Sequence, residues 1–344
     1  MNASCAGGDR EVIRFQPSTR PMLSVVVHTE EEFDWNGVYD RNAVGVTHMR
    51  EIGRFQSVCD DAAIVPTYVV DYPIASQAEA FEPLRRFAFD GRALIGTHLH
   101  PWVSPPYEEP VTRRNSFPGN LPRRIEYDKL SRLTDQIVDT FGTRPTVYLA
   151  GRYGVGANTP DILTALGYEV DLSCCVPMDF SAEDGPDFSS FSSDPYWFGG
   201  GRRLLGLPCT GGFVGWLPAG QRLAHRLAID PRVGRFRLSG VLARLRAVER
   251  LGLTPEVFVN AELRRLTRKL LRDGMRSFVF YLHSPSVSAG RTPYTRDDED
   301  VRKLLANCAD FFRFFKEELN GVAMTPLQVK AAVGAIPMGL HSEG

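Results

Sequence analysis

Two rhythms of apolar residues alternate along this chain. Short runs rich in β-branched and aromatic side chains, at 23–27, 64–70, 93–95, 146–149, 168–172, 204–207 and 277–282, read as strands. Between them, apolar positions recur at helical spacing over Val44–Asp60, Ala78–Phe89, Ile125–Phe141, Thr159–Leu166 and Ala261–Asp273. A closing helix over Asp297–Leu319 carries an aromatic stripe through Phe311, Phe312, Phe314 and Phe315, which reads as core. Punctuation agrees: Thr159-Pro160 opens a helix and Gly167 stops it before Tyr168 begins a strand. Alternation at this spacing predicts repeated βα units on a mostly parallel sheet, closed or open, in a barrel-like α/β fold. One domain over 21–320 is expected, after a polar leader of residues 1–20 and before a tail, 321–344, that loses charge and periodicity.

Composition narrows the setting. The chain has 344 residues and balances 40 basic against 41 acidic side chains, so nothing in its charge favours nucleic acid or an anionic membrane as the main partner. The amino terminus lacks the basic-then-apolar profile of a secretory signal, and no apolar run reaches the ~20 residues that span a bilayer; a cytoplasmic protein is expected. Six scattered cysteines form no Cys-x-x-Cys pair and read as free buried thiols. The basic segment Leu223–Arg250 predicts an amphipathic helix pair with solvated arginines, and the long Pro- and Gly-bearing stretches 101–122 and 176–202 are expected to shape a binding face. Oligomeric state is not readable.

Candidate chemistry sits at the ends of the apolar runs. Glu30, Glu31 and Glu32 follow the run at 23–27, His98 and His100 follow the run at 93–95, and His283 follows the run at 277–282. Strand ends are where parallel α/β folds build sites. Adjacent carboxylates repel unless a cation or a proton relieves them, and His-x-His spacing puts two imidazoles on one strand face. Two imidazoles and one carboxylate give the three-ligand arrangement of a catalytic zinc site, which points to a metal-dependent hydrolase. An imidazole such as His283 can protonate a leaving amine near neutral pH, and Arg152 can hold a carboxylate or a substrate oxygen. Trp35 and Trp102 flank the acidic run and the His-x-His pair as candidate pocket walls.

Taken in order, the runs Val27-His28-Thr29-Glu30-Glu31-Glu32-Phe33-Asp34-Trp35, Ile95-Gly96-Thr97-His98-Leu99-His100-Pro101-Trp102, Ala150-Gly151-Arg152-Tyr153-Gly154 and His283-Ser284-Pro285-Ser286 resemble the WalW-type branch of the NodB-like polysaccharide deacetylases. Pro66-Thr67-Tyr68, Asn120-Leu121-Pro122 and Leu253-Thr254-Pro255-Glu256 extend the resemblance over most of the chain. It implies a distorted (β/α) barrel, one divalent metal, most often zinc, and removal of an acyl group from an N-acetylated amino sugar in a polysaccharide or its carrier-linked precursor. It carries metal ligation to Glu31, His98 and His100, the proton-accepting role to Glu30 or His28, amine protonation to His283, and sugar contacts to Trp35, Trp102 and Tyr153. Where better-known relatives have Asp-Asp this chain has Glu30-Glu31; where they space their histidines as His-x-x-x-His the second position holds Trp102; and Leu149 replaces an arginine. The alternative is a catalytically silent relative that binds carbohydrate or protein.

Overall fold

A computed structural model describes residues 10–35, 37–201, 204–215 and 249–335. Strand β1 is Glu11–Val12, β2 Met22–Thr29, β3 Thr67–Val70, β4 Leu94–Leu99, β5 Val147–Ala150, β6 Val170–Asp171, β7 Tyr196–Phe198, β8 Leu204–Gly206, β9 Gly211–Val214, β10 Glu249–Gly252, β11 Ser277–His283 and β12 Val322–Ala323. The helices are α1 Ile52–Asp61, α2 Tyr72–Ser76, α3 Ala78–Phe89, α4 Arg123–Phe141, α5 Thr159–Ala165, α6 Asn260–Arg272, α7 Asp298–Arg313 and α8 Pro326–Gly334.

The main sheet runs in the order β1-β7-β8-β6-β5-β4-β3-β2-β11, with β12 on the first two residues of β2. Every pairing from β8 to β11 is parallel, and at the far edge β7 alone is reversed, antiparallel to both β8 and β1. Parallel strands covered on both faces need continuous apolar runs, and β2 is buried at all eight positions. Burial of Val25, Val26 and Val27 contributes roughly 2 kcal/mol each before entropy is counted. The α/β, mostly parallel fold read from the sequence is the fold observed. Its barrel is distorted, because among the described residues the ladder stays open between β8 and β11. Thr210, past the end of β8, reaches β11 with two bonds, its N–H donating to Val279 O at 3.3 Å and its Oγ1 accepting from the N–H of Val279 at 2.8 Å.

The expected leader and tail both join this architecture. β1 pairs with β7, and past Gly321 the chain forms β12 on β2 and then α8, whose Val329 and Val333 enter the core. Of the helix pair predicted over 223–250, all but Glu249 and Arg250 lies outside the described residues; those two open β10, which pairs with β9 in a small second sheet. Five cysteines are free and buried. No helix among the described residues is long and apolar enough to cross a membrane.

Candidate active site

The carboxyl ends of β2, β4, β5 and β11 open on one cavity of about 380 Å³. His28, Glu30, Trp35, His98, His100, Trp102, Arg152, Tyr153 and His283 all line it, joined by Glu256 and by Pro177, Met178 and Phe180 from one of the long stretches expected to shape a binding face. Of the nine predicted site residues only Glu31 stands behind the wall.

Strand β2 ends at Thr29, so the three glutamates that follow are freed from strand alternation and diverge. The turn is pinned by Asp71, which caps α2 by accepting from the N–H of Ile74 at 2.8 Å and accepts from the N–H of Glu31 at 2.7 Å. The three glutamates then meet three imidazoles, with His100 shared between Glu30 and Glu31. Glu30 Oε2 lies 3.2 Å from His98 Nε2 and 3.5 Å from His100 Nε2. Glu31 Oε2 lies 2.8 Å from His100 Nδ1, and its Oε1 accepts from the Trp102 indole at 2.7 Å. Glu32 Oε1 lies 3.2 Å from His48 Nδ1.

Strand spacing does bring His98 and His100 together, with ring centroids 4.5 Å apart. Close backbone approach supports them: a Cβ on Gly151 would sit 2.4 Å from Leu99 O and 2.7 Å from His100 Cδ2. Arg152 and Tyr153 then take left-handed φ values of 54° and 60°, a conformation that costs each of them about 1 kcal/mol or more. This bend sends both side chains to the cavity wall. Arg152 is anchored there, donating to Ser116 Oγ at 2.8 Å and pairing with Glu183. Trp102 stacks on His100 at 4.2 Å, and Trp35 meets the edge of His283 at 4.9 Å.

Two groups of side chains have the geometry of cation ligands, Glu30 with His98 and His100, and Glu31 with Asp71 and His100. The hydrogen bonding separates them. His98 Nδ1 lies 3.0 Å from Leu149 O, an acceptor only, so Nδ1 carries the proton and Nε2 is bare. That bare nitrogen faces Glu30 Oε2, two lone pairs against each other, and His100 Nε2 points at the same oxygen. A cation resolves this conflict, and Glu30 Oε1, buried and without a partner, leaves a further donor atom. In the second group the backbone, Trp102 and His100 already occupy the oxygens of Glu31 and Asp71.

Charge follows the same division. Burial opposes the charge of Glu30, but the imidazoles of His283, His98 and His100 outweigh it and hold its pKa below the ordinary value. Burial pushes Glu31 up to about 7 and, with the charge of Glu31 added, pushes Asp71 well above the usual carboxylate range. His28 is neutral: burial foremost, then its three imidazole neighbours, drive its pKa well down, and its Nε2 has no partner. Its ring lies 4.7 Å from that of His283 across the β2–β11 pairing.

Glu256, in the sequence only the last residue of the motif Leu253-Thr254-Pro255-Glu256, is a site residue. Its Oε2 lies 2.8 Å from His283 Nδ1, and its Oε1 accepts from the N–H of His283 at 3.1 Å and from Ser286 Oγ. Burial alone would lower the pKa of His283, but the carboxylates of Glu256 and Glu30 raise it to about 9. His283 is therefore an imidazolium at neutral pH, with Nδ1 held and Nε2 free for the cavity.

Neither a family model nor a curated protein matches the chain by sequence. Among solved structures, a Mycobacterium smegmatis protein assigned as a polysaccharide deacetylase superposes with a TM-score of 0.53 at 17% identity, over 97% of this chain and 96% of that one. The two share a fold. A 4-alpha-glucanotransferase from Thermococcus litoralis gives a TM-score of 0.51 at 13% identity over 91% of this chain, which spans 40% of that longer protein. One architecture thus serves proteins of different names, and the chemistry has to be argued from the side chains.

Proposed function

We propose that the protein is a metal-dependent deacetylase of the NodB-like type, in its WalW-type branch, acting on an N-acylated amino sugar of a polysaccharide or its carrier-linked precursor. The observation that carries this reading is the open triad of Glu30 Oε2, His98 Nε2 and His100 Nε2 on the wall of a cavity whose other side presents the imidazolium of His283.

Glu30, His98 and His100 would hold one divalent cation, with zinc the first choice for two imidazoles and a carboxylate. When bound, such a cation supplies Lewis acidity to an amide carbonyl and to a water. The chain's own residues supply the remainder. Glu31 keeps the His100 ring in place through Nδ1, the outer hydrogen bond that metal-bound histidines need. His28 offers a buried, unpartnered Nε2 to take the proton of the attacking water. The water oxygen bonds to the carbonyl carbon, the C–N bond breaks, and the imidazolium of His283 gives its Nε2 proton to the departing sugar amine. Arg152 presents a guanidinium to substrate oxygens, and Trp35, Trp102 and Tyr153 offer ring faces and edges to the apolar side of a sugar.

This reading exchanges two roles expected from the resemblance. Glu30, expected to take the proton, is the better-placed ligand, and Glu31, expected on the cation, supports the ligand instead. His28 then inherits the proton-accepting role.

Elemental analysis of the purified protein should find about one zinc or similar ion per chain. Acetate release from N-acetylated saccharides should stop with chelator and return with added zinc. Protein that holds no metal yet binds saccharides in the presence of chelator would be a binding module, and the hydrolase reading would fall.

A further inference from the structure

The third glutamate of the run has no place in the chemistry above, yet it is the most densely bonded of the three. Glu32 Oε1 accepts from Thr47 Oγ1 and from the N–H of His48, both at 2.8 Å, and lies 3.2 Å from His48 Nδ1, while Oε2 pairs with Arg291 at 3.0 Å. On the other side of its ring, His48 Nε2 lies 2.8 Å from Ser284 Oγ, and the backbone N–H of Glu30 donates to that same Oγ at 3.3 Å. Glu32, His48 and Ser284 thus stand in the order of a nucleophilic triad. Ser284 and His48 are fully buried and neither lines the cavity, so no substrate reaches the hydroxyl.

The Glu32 carboxylate can only accept, so His48 Nδ1 carries a proton toward it. In the neutral ring Nε2 is then bare and accepts from the Ser284 hydroxyl, whose oxygen in turn accepts from the N–H of Glu30. Every member is satisfied in this one arrangement, the condition under which a buried polar network specifies a single geometry. One end of the chain is the backbone of Glu30. The other runs through Ser284, the residue after His283, so the same hydroxyl fixes the spacing between the loop that carries Glu30 and the strand end that carries His283.

We propose that His48, acting through Ser284, is a positioning residue that holds the Glu30 backbone where its carboxylate can share one cation with His98 and His100. The proposal rests on the cation site argued above. The readout is zinc affinity of the folded, metal-free protein, measured by competition with a chromophoric chelator, together with thermal unfolding of the same samples. Ser284→Ala removes one oxygen and leaves the Glu30 N–H without an acceptor. His48→Asn keeps the donor to Glu32 but withdraws the acceptor from Ser284. Each should weaken zinc binding by about 10–100-fold, the usual consequence of losing an outer partner. His48→Gln, whose amide oxygen reaches the position of Nε2, should restore most of that affinity. In the nitrogen-15 spectrum of the wild-type metal-free protein, His48 should show the neutral form protonated on Nδ1.

Should Ser284→Ala fold and bind zinc as tightly as wild type, or should the His48 ring carry its proton on Nε2, the proposal is wrong. Wild-type protein with no zinc affinity would instead overturn the cation site itself. If His48→Asn unfolds, Ser284→Ala and the wild-type spectrum still decide.

Discussion

Glu256 grips His283 at two points, through the ring Nδ1 at 2.8 Å and through the backbone N–H at 3.1 Å. A carboxylate so placed fixes the tautomer of the ring and favours its charged form. Glu256→Gln should therefore lower the pKa of His283 by about 1–2 units, read by NMR titration. An unchanged value would mean that Glu256 does not govern the acid.

The same contact makes stability depend on pH. The pKa of His283 is raised to about 9 from an ordinary 6.5, so the folded protein binds the extra proton more tightly than the unfolded chain. Its contribution is complete below about pH 6.5 and disappears as pH climbs through 9. Denaturant unfolding at pH 6 and pH 9.5 should show wild type losing more stability over that interval than Glu256→Gln does.

Glu126 gives the opposite kind of carboxylate behaviour. Burial raises its pKa from 4.5 to about 7, although Thr159 Oγ1 donates to it at 2.6 Å, and its second oxygen has no partner. Folding then favours the protonated form, so stability from this group is complete below about pH 4.5 and falls as pH rises to 7. The fall amounts to about 3 kcal/mol. Glu126→Gln should remove that fall and be more stable than wild type at pH 8; a flat difference across this range would refute the assignment.

The division of labour between Glu30 and Glu31 is open to direct measurement. Glu30→Ala takes away the carboxylate of the triad and should abolish zinc binding, whereas Glu31→Gln should only weaken it, by about 10–100-fold. The reverse ranking would restore Glu31 as the ligand.

Gly151 is a steric test of the site. Any side chain there meets Leu99 O and the His100 ring, so Gly151→Ala should cost about 1–3 kcal/mol and displace His100, with loss of zinc affinity. Unaltered stability and affinity would show that the backbone yields without disturbing the ring.

Legibility in the sequence tracked regularity of structure. Helical spacing over 78–89 matches α3, and His98 on β4 meets His100 just past its end, as their spacing requires. Where the backbone leaves regular periods the pattern fell silent. Strand alternation would pair Glu30 with Glu32, but β2 stops at Thr29 and the turn brings Glu30 and Glu31 to opposite nitrogens of His100 while Glu32 goes to His48. His48 sits on a short 3-10 turn inside the span 44–60 that the periodicity reads as one helix, and Glu256 on a loop before α6 with no apolar rhythm to announce it. The end of the chain did carry one unread signal: Thr325-Pro326-Leu327-Gln328 is a capping box with proline at the first turn of α8.

That last segment bears on how the protein can be handled. Val322 and Ala323 pair with Met22 and Leu23 at the start of β2, with Met324 donating to Leu23 O at 2.9 Å and Ser24 Oγ donating to Met324 O at 2.8 Å. Trimming the polypeptide after Gly321 would strip one border from the start of a fully buried apolar strand and leave its peptide groups seeking a substitute. Such truncated material should clump through edge-to-edge association.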